Sequence, residues 1–180
     1  MRRLLCLLLP FLAVPWWCGR AADPHFDAER EAWLPLADAV AHALLADPVV
    51  QHTGSSRFDG EWTLGACALG VVGLASVVHR FPETEPHYAP ALDACSARLT
   101  APETRAFATS AWGSDAFEHL NDPSPRDAWL GYVLVALASH EQVRPGGGTR
   151  WLDPLRHGLT ARLQPLHALA TYPGEGYPCD

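Results

Sequence analysis

Apolar residues recur at helical spacing along most of the chain, and the alternation expected of strands is nearly absent. From Asp27 to Ala46 one face carries Trp33, Leu36, Ala37, Val40, Ala41, Leu44 and Leu45, while Glu29, Arg30 and Asp38 lie elsewhere. That pattern predicts an amphipathic helix, stopped at Asp47-Pro48. A polar, Gly- and Ser-containing loop, His52 to Gly60, follows. The next helix, Glu61 to His79, has a different pattern. Trp62, Leu64, Cys67, Leu69, Val71, Val72, Leu74, Val77 and Val78 cover every face, as in a helix buried on all sides. Gly65, Gly70 and Gly73 each cost about 1 kcal/mol of helix propensity, which is tolerable where neighbouring helices come close.

Glu85 to Leu99 is amphipathic again, through Tyr88, Ala91, Leu92, Cys95 and Leu99, and Thr100-Ala101-Pro102 ends it. Arg105 to Asp122 is irregular, with one short helix expected around Asp115 to Leu120. Ser124 as N-cap, Pro125 at the first helical position and Asp127 in the first turn predict the next start. That helix, to about Val143, is apolar all round through Trp129, Leu130, Tyr132, Val133, Leu134, Val135 and Leu137. Pro145-Gly146-Gly147-Gly148 breaks the chain. Thr149 to Leu163 is amphipathic through Trp151, Leu152, Leu155, Leu159 and Leu163, and Pro165 ends or bends it.

Amphipathic and all-apolar helices therefore alternate. An amphipathic helix has water on one side, and an all-apolar helix is covered on both. The alternation predicts an all-α fold of repeated helical hairpins in two layers, with inner all-apolar and outer amphipathic helices. A polytopic membrane bundle fits less well. Trp62 to Val78 carries no charge, but it is rich in Gly and Ala, and Ala128 to Ser139 is too short to span.

The N-terminus reads differently. Arg2 and Arg3 precede an uncharged, mostly apolar run from Leu4 to Trp17, and Gly19-Arg20-Ala21 follows with small residues where a signal peptidase reads. Residues 1–21 are expected to be a secretory signal, and residues 22–180 the exported domain, periplasmic or extracellular. The alternatives are an uncleaved membrane anchor through residues 4–17 and a lipid attached at Cys18. The 180-residue chain has a formal charge of -7, and all its basic residues are Arg. Removing the signal makes the chain more acidic, which argues against a nucleic-acid partner. An apolar share of 48% excludes a disordered chain.

Beyond the signal, Cys67, Cys95 and Cys179 remain, an odd number with no zinc spacing. Cys67 and Cys95 sit in apolar helical stretches and are expected to be buried free thiols. No HExxH, GxSxG, Walker A or dinucleotide fingerprint is present, and no cofactor is implied. The pairs Glu118-His119 and His140-Glu141 read as surface residues.

Similar aromatic and acidic clusters stand at the starts of the inner helices. They are Phe58-Asp59-Gly60-Glu61-Trp62 and Asp127-Ala128-Trp129-Leu130-Gly131-Tyr132. A third is Tyr172-Pro173-Gly174-Glu175-Gly176-Tyr177-Pro178-Cys179-Asp180. This series resembles (α/α)6-toroid proteins of the linalool dehydratase/isomerase-like kind, and more loosely carbohydrate-active toroids. The resemblance implies a partial toroid domain in which the three clusters converge on one funnel. Two inner and three outer helices make about half of a six-hairpin ring. A truncated reading frame, self-association with another half-ring, or a different compact closure would each account for the uncovered apolar helices.

Asp59 and Glu61, beside Phe58 and Trp62, are candidate acid or base groups, because desolvation raises a carboxyl pKa. Capping the positive end of the helix is the plainer role for them, and for Asp127. Glu175, Tyr177 and Cys179 alternate in an extended segment, and a thiol near a carboxylate and a phenol can serve as acid or nucleophile. Pocket Cys and Asp residues in the resembled enzymes surround an alcohol. Trp112, Trp129, Tyr132 and Tyr172 are candidate ligand contacts. The expectation is a lyase, isomerase or hydrolase acting on a small alcohol or sugar. The alternative is a non-catalytic helical scaffold or binding module of the cell envelope, touching membrane only through an uncleaved signal.

Overall fold

The computed structural model describes residues 30–46, 54–55, 58–122, 124, 126–146, 149–166 and 169–174. Regular structure among them is helical, apart from one isolated bridge between Arg126 and Ala170. The chain divides into two compact units, Met1–Asp38 and Ala39–Asp180. In the first, residues 30–38 are described, the opening of helix α1 (30–46). Trp33 and Leu36 were expected on a buried face and are instead exposed. Helical periodicity gathers apolar side chains on one side but does not supply the neighbour that covers them.

The second unit is built from α2 (Asp59–Arg80), α3 (Glu85–Leu99), α4 (Ala106–Trp112), α5 (Leu130–Val143) and α6 (Thr149–Leu166), following the end of α1. Asp59 and Glu61 stand in the first turn of α2 and His79 and Arg80 in its last, which suits the helix dipole at both ends. Phe81 stops α2, and a single turn of 3-10 helix, Pro82–Thr84, leads into α3. The helix α4 ends at Gly113, whose φ of 77° is the left-handed conformation that terminates helices.

Three close approaches define how these helices run. A Cβ placed on Gly60, at the start of α2, would sit 2.7 Å from the carbonyl oxygen of Thr104. The chain has therefore returned to the start of α2 after α3, and the two helices form an antiparallel hairpin. Likewise the Ala128 N–H, just before α5, donates to the Ala170 carbonyl at 3.2 Å, so α5 and α6 form a second antiparallel hairpin. Phe107 joins the two. Its ring edge would lie 2.9 Å from a Gly60 Cβ, and its centroid is 6.0 Å from that of Trp129. Both α2 and α5 begin beside Phe107, so these two helices run in the same direction. They pack along each other, with α3 against α2 and α6 against α5. The end of α1 rests on α2, where Leu44 fills the space left by Gly70, and Arg98 of α3 donates to the Leu44 carbonyl at 2.7 Å.

Leu64, Val71 and Leu74 of α2, Tyr88, Leu92 and Leu99 of α3, Leu130, Val133 and Leu137 of α5 and Leu155 of α6 form the core. Each fully buried side chain of this size contributes roughly 1.5–3 kcal/mol. Cys67 and Cys95 are buried within it, as their apolar surroundings predicted. The expectation that α2 and α5 are covered on all sides is corrected. Trp62 is 61% exposed, Leu69 65% and Val135 55%, with Tyr132 also exposed. Leu69, Val72, Gly131, Tyr132 and Val135 line a shallow apolar groove along the two helices. Among the described residues α2 is long and apolar enough to cross a membrane by length and composition, and half of that stretch is buried inside the protein.

The helical glycines separate into two kinds. At Gly158 an added Cβ would lie 2.5 Å from the Leu120 carbonyl oxygen, whereas at Gly131 it would meet nothing within 4 Å. Gly158→Ala is expected to lower the unfolding free energy by about 1–3 kcal/mol, because backbone has to move. Gly131→Ala is expected to leave it unchanged or raise it by up to about 1 kcal/mol, through helix propensity. Urea unfolding of the two variants checks both directions.

Candidate functional site

The first turn of α2 carries two of the expected carboxylates. Glu61 is half-buried, and its Oε2 accepts a hydrogen bond from the Tyr172 hydroxyl at 2.5 Å. Tyr172 is buried, with its ring edge-on to Phe58 at 6.3 Å and tilted against Phe107 at 6.2 Å. Phe107 in turn contacts Trp129. Phe58 and Glu61, Trp129 and Tyr172, drawn from the three sequence clusters, thus gather around Phe107, at the end of the unit where α2 and α5 begin. The rings pack on one another, so Trp129 and Tyr172 belong to a buried aromatic cluster. On the open side, Phe58 and Trp62 are exposed beside Glu61.

The segment 169–172 is held from three directions. Ala170 pairs with Arg126 and accepts from the Ala128 N–H. Trp112 is half-buried, and its indole N–H donates to the Thr171 carbonyl at 2.9 Å. Its position beside the Tyr172 segment therefore comes from a backbone hydrogen bond.

Asp127 differs from its expected role. The fourth main helix was expected to start after Ser124, with Asp127 in its first turn. It starts instead at Leu130, and Asp127 precedes it with a φ of 63°. The pairing of Arg126 and Ala128 with Ala170 takes up the backbone there and outweighs the local start signal; Pro125 lies outside the described residues. Asp127 is buried, accepts from the Trp129 indole N–H at 3.3 Å, and lies 3.5 Å from the Arg126 guanidinium. Burial pushes its carboxyl above the ordinary range, against the lowering pull of Arg126 and the Trp129 bond.

Asp59 is half-buried in the same turn as Glu61. Trp62 and Tyr132 are exposed on α2 and α5 and do not enter the buried aromatic cluster. Glu175, Tyr177 and Cys179 lie outside the described residues. The short helix expected around Asp115 to Leu120 is a run of turns, and the helix falls earlier, at Ala106–Trp112. Asp115 instead receives Arg105, whose Nε lies 2.7 Å from Oδ1 and whose guanidinium covers the Phe117 ring at 4.4 Å.

Sequence reasoning missed a second locus at the opposite end of the hairpins. His140, expected at the surface, is 1% exposed, and its Nε2 lies 2.9 Å from Asp93 Oδ1. Arg144, the residue that follows the end of α5, grips the same carboxylate through Nε and Nη2, each at 2.9 Å, and also reaches Glu85. Burial raises the Asp93 pKa, but the bonds from Arg144 and His140 outweigh it and hold the carboxyl below its ordinary value. The i, i+4 spacing of His140 and Arg144 at the end of a helical pattern was the available signal, since it sets two nitrogen-bearing side chains close together. The Asp93 that receives them is 47 residues away from His140. Among the described residues no group of three or more His, Cys, Asp and Glu is arranged to hold a metal.

No family model, curated protein or solved structure matches this chain.

Because the Asp127 pKa is raised in the folded state, its contribution to stability is full below the ordinary value of 3.8 and declines as pH rises through the folded value. Asp127→Asn keeps an acceptor for Trp129, tolerates positive φ and carries no charge. The variant is expected to be more stable than the parent at pH 7, by roughly 1 kcal/mol, with the difference vanishing toward pH 3–4. Thermal unfolding at the two pH values measures this.

Proposed function

We propose that this chain is an exported protein built on the (α/α)6-toroid plan, and that the end where α2 and α5 begin binds a small alcohol or sugar. The Tyr172–Glu61 hydrogen bond of 2.5 Å carries this reading, because it joins the first and third sequence clusters at one place. Two antiparallel hairpins with parallel inner helices support the ring plan. In such a ring a further inner helix covers the apolar face along Leu69, Tyr132 and Val135. A second copy of the chain supplies that cover.

The chemistry follows from the neighbours of Glu61. Phe58 and Trp62 offer exposed rings on which the apolar face of a sugar, or a short hydrocarbon, stacks. The Glu61 carboxylate accepts from a substrate hydroxyl or moves a proton at that oxygen, as general base or acid in a lyase, isomerase or hydrolase reaction. Tyr172 positions it. Asp59 stands in the same turn, and we keep Glu175, Tyr177 and Cys179, which follow Tyr172 in sequence, as candidates for the same chemistry. Trp112 and Trp129 hold the site's walls.

The exposed stripe on α2 and α5 favours one other reading, a non-catalytic scaffold or binding module of the cell envelope. The two readings separate in one experiment. The Trp62 indole resonance is followed while monosaccharides and short alcohols are added. The enzyme reading expects a saturable shift, weakened about tenfold in Tyr172→Phe. It also expects loss of turnover in Glu61→Gln with the helical circular dichroism retained. If Glu61→Gln and Tyr172→Phe behave as the parent does toward every ligand, the site reading fails and the scaffold stands.

A further inference from the structure

The apolar face left open along α2 and α5 has an order of its own. On α2 the exposed Leu69 is followed one turn later by Gly73, and on α5 Gly131 is followed one turn later by the exposed Val135. A Cβ placed on Gly73 or Gly131 would meet nothing within 4 Å, so each glycine leaves open space beside a projecting side chain. The order is large then small on α2, and small then large on the parallel α5. Leu69 and Val72 line one groove with Gly131 and Val135, so the midpoints of the two pairs, Val71 and Val133, stand at about the same height. A two-fold axis crossing both helices at that height sets α2 of one copy antiparallel to α2 of another, and α5 likewise. It brings Leu69 onto Gly73 of the other copy and Val135 onto Gly131 of the other copy, and each contact is made twice. Large residues facing small ones let two layers interdigitate.

Charge favours the same occupant. Trp62 to Val78 of α2 and Leu130 to Ser139 of α5 contain no Asp, Glu or Arg, although the chain carries a formal charge of -7. An acidic chain meets its own copy with like charges over much of its surface, whereas pairing through this face buries no charge. The antiparallel setting also opposes the dipoles of the facing helices. Four turns of α2 beside α5 measure about 20 by 20 Å, roughly 400 Å² on each copy. Two copies then bury about 800–1,000 Å², at the low end of specific interfaces, so the association is expected to reverse on dilution. We propose that two copies of this chain pair through the α2–α5 face across a two-fold axis, with Leu69 seated on Gly73 and Val135 on Gly131. This rests on the reading above that a second copy covers the face, and it adds the register of the pairing.

The test is sedimentation equilibrium of the full chain across the micromolar range. The parent is expected to pass from monomer to dimer as concentration rises. Gly73→Leu is expected to weaken the dimer about tenfold or more, because the added side chain meets Leu69 of the other copy. Its helical circular dichroism is expected to be retained, since the space beside Gly73 is open within one chain. The exchanged variant Leu69→Gly/Gly73→Leu is expected to restore the dimer, with the leucine now seated on the new glycine. A face that is merely apolar behaves in the opposite way, and Gly73→Leu then associates as tightly as the parent or more tightly, which overturns the proposal. So does an exchanged variant that folds but stays monomeric. A parent that is monomeric throughout also overturns it. Flotation of that monomer with phosphatidylcholine vesicles would assign the face to lipid, and no flotation would leave it to a different protein. Sedimentation is blind to ligands at Glu61, so failure of the pairing and failure of that site are told apart.

Discussion

The return of segment 169–172 to the starts of α2 and α5 is the contact on which the arrangement of the hairpins depends. Helix–helix packing alone is tolerant, because apolar side chains of similar volume interchange at modest cost. Tyr172 is more demanding. Its ring must meet Phe58 and Phe107 while its hydroxyl reaches Glu61. Aromatic pairs of this kind contribute about 0.5–1.5 kcal/mol beyond the area they bury, and a hydrogen bond to a charged acceptor about 1.5–3 kcal/mol. With Phe107 also against Trp129, α2 and α5 are fixed side by side and parallel.

Polar clamps hold what this cluster leaves free. Arg162 of α6 is fully buried and donates to the carbonyls of Leu120 and His119 at 2.7 and 2.8 Å. Burial lowers its pKa, yet the guanidinium stays charged at neutral pH. It therefore needs those carbonyls, and it ties α6 to the loop before α5. At the opposite end Arg144 joins the last turn of α5 to Asp93 and Glu85 of α3. Charged hydrogen bonds of fixed direction thus set the register of helices whose apolar faces alone would slide.

Much of the fold was legible because it rests on local periodicity. The limits of α3 fall at Glu85 and Leu99 as the apolar spacing and the Thr100-Ala101-Pro102 stop require. Burial of Cys67 and Cys95 followed from their apolar neighbours. The recurrence of aromatic and acidic residues pointed to the groups that the structure gathers at one end: Phe58, Glu61, Trp129 and Tyr172. What escaped depends on partners distant in sequence. Phe107, at the centre of that gathering, sits in a seven-residue helix with little periodicity to show. Asp127 carried a good local start signal that pairing with Ala170 overrode. His140 has the sequence neighbourhood of a surface residue, next to the charged Glu141, whereas its side chain is buried against Asp93, 47 residues away. Trp33 and Leu36 show the converse, an apolar stripe exposed although its spacing promised cover.

A double-mutant cycle on folding free energy, with Glu61→Ala and Tyr172→Phe, tests most directly whether the returning segment clamps the start of α2. The account predicts that the two substitutions are non-additive, with a coupling of about 1–2 kcal/mol in favour of the pair. Additivity within about 0.3–0.5 kcal/mol would contradict it. Tyr172 would then be packing against α2 without holding Glu61 in place.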